Sequence, residues 1–512
     1  MDYFDEIVNE IIDGKINNPE ELQKEKINLC KEYDRDKLPK NAEILERVDD
    51  RDDVSREEVL HVLQRKPTRT KSGVAVIAVM TEPAECPHGR CMMCPGGPEE
   101  DEPSPQSYTG EEPAALRGER NDYLPREQVE DRLKQYEAIG HTTDKIDMII
   151  MGGTFPARDW NYQKDFVKGC LDGLNGTTSP GLEKAKERNE KADKRCIGLT
   201  VETRPDHCKE KELERMLELG VTRVEIGVQS IRDEILEEID RGHSVEDSIE
   251  ATRLAKEKGL KVCYHIMPGL PGMDNTKDLD DFLTLFKDQR FQPDMLKIYP
   301  TLVVEGTELY ERWKDGEYEP LSTNKAAKLI AEMKAAVPKY VRIQRVQRDI
   351  PSPLVDGGVK KSNLRQYARK ELKSKKADCD CIRCREGGHS KDNVDLSSLD
   401  LKKFVYEASG GVEHYLELSD PEGLLVGYAR LRTDGRAVPT VRELKVVGEM
   451  TPVDENRREY QHSGFGSEML KECEDLARER GDKLRITSGV GAREYYRKHG
   501  YELEKPYMVK EF

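Results

Sequence analysis

The sequence predicts an α/β protein: a partial or complete βα barrel, then a Cys-rich connector, then a smaller α+β domain. Three observations carry this reading. From Gly73 onward, six short apolar runs rich in β-branched residues alternate with charged helical segments: "GVAVIAVM", "IDMIIMGG", "CIGLTVET", "VTRVEIGVQS", "LKVCYHIMPG" and "MLKIYP". Strands that alternate with helices pair in parallel beneath a helical cover. Three cysteines crowd the loop after the first run, in "ECPHGRCMMCPGGP" from Glu85 to Pro98. Near residue 396 the pattern changes to a β-meander, "FVYEASGGVEHYLELSDPEGLLVGYARLRT", followed by a strand and an amphipathic helix.

At 512 residues the chain exceeds what one core supports, so several domains are expected. Residues 1–65 read as short amphipathic helices, as in "FDEIVNEII" and "SREEVLHVLQR". Residues 66–365 hold the barrel, whose site belongs at the carboxyl ends of its strands. Those ends carry Glu202, Arg204, Gln229, His265 and Tyr299. Residues 366–395 form the basic and Cys-rich connector, and residues 396–512 the α+β domain.

No apolar run approaches the roughly 20 residues that span a bilayer, and the first residues are acidic, so a cytoplasmic protein with no membrane contact is expected. In a reducing compartment twelve cysteines are poor candidates for disulfides. Six of them fall in two tight clusters, which points to metal. A net charge of −17 excludes a protein that coats nucleic acid everywhere. Lys325–Lys376 reverses that sign, with 15 Lys and Arg against 4 Asp and Glu.

Cys86, Cys91 and Cys94 have the spacing C-x4-C-x2-C. Three thiolates so placed can hold a 4Fe-4S cluster and leave its fourth iron open to a substrate. The spacing alone also admits zinc with a distant fourth ligand such as His88; the position at the barrel mouth favours the cluster. Cys379, Cys381 and Cys384, with His389 five residues on, match a structural zinc site. Another histidine or a carboxylate in place of His389, or a second iron–sulfur cluster, stays open. "QHSGFG", from Gln461 to Gly466, is a Q-x-x-G-x-G turn before an amphipathic helix. Backbone N–H groups there, aided by the helix dipole, cradle a pyrophosphate.

The cysteine loop resembles that of the radical S-adenosylmethionine superfamily, whose usual C-x3-C-x2-C spacing it exceeds by one residue. The C-terminal pattern resembles the GNAT acyltransferase fold. Together with "CPGGP", "QSYTGEEPAALR", "MGGTFPA", "VETRPD", "EIGVQS" and "HIMPGLPG", the chain from about Lys66 to Phe512 closely resembles the family of Elongator catalytic subunits. That resemblance implies formation of 5-carboxymethyluridine at the wobble uridine(34) of tRNA from acetyl-CoA. The implied chemistry is hydrogen abstraction from the acetyl methyl, addition of the carbon radical to uridine C5, and thioester hydrolysis.

The same resemblance implies roles for single residues. Gly152, Gly153, Glu202, Arg204 and Gln229 line the S-adenosylmethionine site. The backbone of Glu443, Leu444, Lys445 and Val446 runs beside the pantetheine, Gly464, Phe465 and Gly466 cradle the pyrophosphate, and Lys145 is associated with acetyl-CoA. One of Tyr495 and Tyr496 serves the thioester, since adjacent residues of a helix face different ways. Residues 1–65 are expected to bind tRNA, with Lys66, Arg69 and Lys71 at the barrel entrance and Arg345, Arg348, Lys360, Lys361 and Arg365 of the basic island meeting the anticodon stem-loop. An electron donor is a further partner, and the oligomeric state is left open. Two rivals fit the same motifs: a protein lysine acetyltransferase, and an RNA-binding scaffold that retains both cofactor folds.

Overall fold

The computed structural model describes residues 2–35, 37–51, 53–64, 70, 72–387, 398–435, 437–448 and 464–512. Four helices open the chain, Tyr3–Ile12, Pro19–Glu32, Asn41–Asp49 and Arg56–Leu63. The first two start where the sequence caps them: Asp2 accepts from the Phe4 and Asp5 N–H groups, and Asn18 from those of Glu20 and Glu21. Their apolar faces, including Tyr3, Ile7, Leu29, Ile44, Leu45 and Val59, close a core of their own.

Seven strands follow: β1 (Ala75–Met80), β2 (Lys145–Met151), β3 (Arg195–Thr203), β4 (Arg223–Gln229), β5 (Lys261–Ile266), β6 (Met295–Ile298) and β7 (Arg342–Arg345). All pair in parallel in sequential order, and β1 does not pair with β7. The barrel is therefore the partial one. The six anticipated runs are β1 to β6; β7 lies inside the basic island. Along each strand the alternation of side chains sorts the two faces. Ile77 and Val79, Ile146, Met148 and Ile150, Val224 and Ile226, Val262 and Tyr264 pack outward beneath the helices in the largest core. Asp147, Arg223, Glu225, Lys261, His265 and Lys297 face the lumen. An incomplete barrel with a polar interior leaves room inside, where a closed one is filled by side chains.

The C-terminal sheet has the order β13-β14-β12-β11-β10-β9-β8, from β8 (Asp400–Ala408), β9 (Gly411–Ser419), β10 (Leu425–Thr433), β11 (Thr440–Val446), β12 (Lys483–Ile486), β13 (Glu502–Glu504) and β14 (Tyr507–Glu511). β8 to β11 form an antiparallel meander. β11 and β12 run parallel and pair only at Thr440↔Arg485 and Val441↔Ile486. Beyond those two pairs they part, which opens a cleft. Helix Phe465–Arg478 packs Met469, Leu470 and Cys473 onto this sheet, so its N-terminus lies beside the cleft. The sheet is tied to the barrel floor by buried charges, chief among them Arg442 of β11 on Asp294.

Candidate active site

Two cavities occupy the barrel, one above the other. The upper cavity, of about 150 Å³, lies at the carboxyl ends of the strands and is lined by Cys86, Cys91, Cys94, Gly153, Glu202, Arg204 and Gln229. The lower one, of about 800 Å³, runs through the floor of the barrel into the cleft of the C-terminal domain. Lys145, Asp147, Lys261 and Lys297 line its barrel side, and Glu443–Val446, Gly464–Ser467, Tyr495 and Tyr496 its far side. Met151 and Arg345 line both.

The structure brings the first cysteine trio together on the loop after β1 and surrounds it with donors. His88 Nε2 lies 3.1 Å and Arg241 Nη1 3.4 Å from Cys91 Sγ; Gln106 and Ser107 reach Cys94 Sγ at 3.6 and 3.3 Å. Such partners stabilise thiolate sulfur in a cluster site. Among the described residues, the three sulfurs are not one of the donor groups that fall within 4.8 Å of one another, whereas those of Cys379, Cys381 and Cys384 are. Sulfurs that close can share one ion, so the connector trio fits a metal site, and the thiolate set at the mouth, with its surrounding donors, fits an iron–sulfur cluster.

Beside the trio, β2 ends in Gly152 and Gly153, with φ of +120° and +93°. A Cβ on Gly152 would stand 2.2 Å from the Thr81 hydroxyl. Only glycine takes this turn without strain, and it lets a ligand approach the backbone. Gln229 also has a positive φ, +66°, and its buried Oε1 has no hydrogen-bond partner. An acceptor left unpaired at a cavity wall suits an amino or hydroxyl donor of a ligand such as S-adenosylmethionine. Arg204 lines the upper cavity as well. It is 2% exposed, with Nε and Nη2 on Asp206 at 2.9 and 3.0 Å and Nη1 on the Arg241 carbonyl at 2.7 Å, so it builds the wall.

The remaining upper residues form a network that the sequence did not disclose. Glu202 accepts from Tyr108 Oη at 2.9 Å and from Lys297 Nζ at 3.3 Å. Lys297 also pairs with Glu225, which His265 Nε2 meets at 2.9 Å. Burial alone would raise the Glu225 carboxyl, but Lys297, the His265 bond and Arg223 outweigh it and hold the group well below the usual carboxylate range. Burial and Lys297 lower His265, which keeps it neutral.

At the lower end, Gly464, in the left-handed region at φ +85°, caps helix Phe465–Arg478. Lys145 lines the same cavity, and burial lowers its ammonium below the usual lysine value. The two tyrosines diverge. Tyr495 is 36% exposed, and its Oη stands 2.8 Å from where a Cβ on Gly466 would lie, against the Gly-rich turn. Tyr496 is 7% exposed, wedged beside Tyr501 in the domain core, and reaches the cavity from there.

At the connector, Lys334 Nζ lies 3.2 and 3.3 Å from Cys379 and Cys384 Sγ, a partner absent from the sequence reading. His389 lies outside the described residues, as do Lys66, Arg69, Lys71 and residues 461–463 of the Gly-rich turn. Of the basic island, Lys360 and Lys361 are exposed. Arg365 is spent on the Ile343 and Gln344 carbonyls, both at 3.1 Å. Arg345 and Arg348 line the upper cavity, and Arg345 is also exposed; Arg345 pairs with Asp349 and Arg348 donates to the Ser107 carbonyl. No described helix is long and apolar enough to cross a membrane.

Comparison with known proteins agrees with this geometry. The chain matches the Radical SAM superfamily over residues 84–286, the Radical_SAM C-terminal domain over 293–374, the ELP3 N-terminal domain over 1–71 and the Acetyltransferase (GNAT) family over 392–501. It is 48% identical over 490 residues to the tRNA uridine(34) acetyltransferase of Methanocaldococcus jannaschii, covering 92% of this chain and 90% of that protein. It is 41% identical over 513 residues to human Elongator complex protein 3, covering 96% and 93%. The structure of the archaeal Methanocaldococcus infernus Elp3 with an N-terminal deletion is similar at a TM-score of 0.77 and 44% identity, over 86% of this chain and all of that one.

Proposed function

Because the chain belongs to the family of Elongator complex protein 3 and the tRNA uridine(34) acetyltransferases, we propose that it builds 5-carboxymethyluridine at the wobble position of tRNA from acetyl-CoA. The observation that carries the reading is the stacking of the two cavities in one barrel. A cysteine trio and a glycine turn stand at the mouth, and a coenzyme A cleft stands at the floor.

Cys86, Cys91 and Cys94 hold the 4Fe-4S cluster, with Gly152, Gly153, Glu202 and Gln229 around S-adenosylmethionine. When bound, this pair supplies a 5′-deoxyadenosyl radical on reduction by an electron donor. The protein's own part is placement. Gly464, Phe465 and Gly466 offer the helix N-terminus to the pyrophosphate, Glu443–Val446 guide the pantetheine, and Lys145 and Tyr495 hold the coenzyme at its turn. Tyr496, its ring fixed in the core, presents a hydroxyl to the departing sulfur. The uridine base enters the upper cavity splayed from its stack, past Arg345 and Arg348. Lys360 and Lys361, with Lys66, Arg69, Lys71 and residues 1–65, hold the tRNA backbone outside. Cys379, Cys381 and Cys384 bind zinc, with His389, another histidine or a carboxylate as fourth ligand, and the protein works in the reducing cytoplasm.

The acyl end of the lower cavity faces barrel side chains, which favours a nucleotide at the mouth over a protein lysine as acceptor. The deciding experiment incubates anaerobically reconstituted protein with S-adenosylmethionine, acetyl-CoA, a reductant and either tRNA or a lysine peptide. Carboxymethyluridine in digested tRNA is the expected product. Acetylated peptide with unmodified tRNA would overturn the reading.

A further inference from the structure

One ion pair stands between the two cavities, beside Met151 and Arg345, which line both. Glu225 of β4 lines the upper cavity and Lys297 of β6 the lower, and the two are bonded to each other. The carboxylate is thus the floor of one space and the ammonium the ceiling of the other. Lys297 is 3% and Glu225 0% exposed, so neither is held there by solvent. Glu202, 3.3 Å from Lys297, lines the upper cavity beside the pair.

Two features make this partition rearrangeable. The ammonium has three donors, shared between Glu225 and Glu202, so it can release one carboxylate without being stranded. Glu225 Oε1 is buried and without a hydrogen-bond partner, 3.6 Å from Arg223 Nε, while Oε2 carries both Lys297 and the His265 bond. Arg223 stands ready to take a fuller share of that carboxylate. The other lysine of this part of the lower cavity, Lys261, is tied to Glu443 at 3.7 Å, away from the partition.

We propose that Lys297 is an acyl-recognition residue: when an acyl thioester fills the lower cavity, its ammonium exchanges Glu202 for the acyl carbonyl oxygen, and this exchange joins the two cavities. A carbonyl bonded at that point turns the acyl methyl toward the mouth. Coenzyme A without an acyl group offers no acceptor there and leaves the partition shut. The inference rests on the reading of the lower cavity as the acetyl-CoA site and adds the residue that recognises the acyl group.

The test measures binding, with no turnover. Acetonyl-CoA, a ketone analogue that keeps the carbonyl and cannot be hydrolysed, is titrated calorimetrically against the full chain in parallel with free coenzyme A. The wild type should bind the ketone more tightly, and Lys297→Met should lose about tenfold of that preference with its affinity for free coenzyme A unchanged. Lys297→Arg should keep part of it. If Lys297→Met does not fold because Glu225 is left unpaired, the double variant Lys297→Met/Glu225→Gln takes its place. Full preference retained in the Met variants overturns the inference alone. Failure of the wild type to bind coenzyme A at all overturns it together with the reading of the cavity.

Discussion

Arg442 of β11 donates to both carboxylate oxygens of Asp294, at 2.7 and 2.6 Å, and neither side chain is exposed at all. Asp294 belongs to the barrel floor just before β6, and Arg442 to the domain that carries the coenzyme cleft. Glu413 shares Arg442 at 2.8 Å, and Arg430 adds a second guanidinium near Asp294. The lower cavity exists only while these two units keep their registration, so the pair fixes the geometry of the site from outside it.

A buried pair broken on one side leaves an uncompensated charge, at a cost of about 3–5 kcal/mol. Asp294→Ala should therefore lower stability by roughly that amount. Because the chain has several domains, it should also separate one unfolding transition into two. Calorimetry read alongside coenzyme A binding checks this. A single unshifted transition would show that the apolar contacts alone hold the domains together.

The metal sites should separate cleanly. Anaerobic reconstitution should give about four irons and about one zinc per chain. Replacing Cys86, Cys91 and Cys94 by Ala should remove the iron and leave the zinc; replacing Cys379, Cys381 and Cys384 by Ser should do the reverse. Iron retained by the first triple variant would refute the assignment of the mouth.

Tyr496→Phe keeps the ring that packs against Tyr501 and removes only the hydroxyl. It should slow thioester turnover by one to two orders of magnitude, about 10²-fold for a lost proton donor, while coenzyme A binding is unchanged. Tyr495→Phe should instead weaken coenzyme binding, because its hydroxyl lies at Gly466, in the turn proposed to cradle the pyrophosphate.

Asp278, in helix Asn275–Lys287, gives a pH signature. Burial pushes its carboxyl up to about 7, aided by Asp281 and Asp274, against the Gly269 N–H bond at 2.9 Å and Arg232. The folded state thus holds a proton that the unfolded chain releases near the ordinary value of 3.8. This group's contribution to stability is complete below that value and is lost as pH rises through about 7. Asp278→Asn should gain on the order of 1–4 kcal/mol at pH 8 relative to wild type, and little at pH 4. Parallel pH profiles for the two proteins would exclude the raised carboxyl.

The parts of this architecture legible in the sequence are those written in local pattern. β1 to β6 announce themselves as β-branched runs, and both cysteine clusters and the Gly-rich turn are contiguous. β7 escaped because "RIQR" alternates long polar residues, and nothing local separates it from the basic island around it. The partition escaped for a different reason. Glu202, Glu225, His265 and Lys297 sit on four strands, and only the parallel register brings them into one layer. Composition shows Arg345 and Arg348 only as charge, and it takes β7 and the turn after it to set both at the mouth, where Arg345 stays exposed.

That placement sharpens the test of tRNA contact. Of the island residues expected to meet phosphate, Arg345, Lys360 and Lys361 are exposed, and Arg345 is paired with Asp349; the exposed face of helix Leu364–Ser374 adds Arg369 and Lys370. Each cation that contacts a phosphate releases counterions, so its loss should flatten the log–log salt dependence of binding by about one unit. Lys360→Ala/Lys361→Ala should weaken tRNA binding and reduce the slope by about two, with coenzyme A affinity unchanged. Arg348→Ala should behave differently. Its side chain holds the Ser107 carbonyl of the cysteine loop inside the mouth, so it should lower modification with little change in the salt slope. If the double lysine variant binds tRNA with wild-type affinity and slope, this face is merely solvated, and backbone contact must come from residues 1–65 and the Lys66, Arg69 and Lys71 segment.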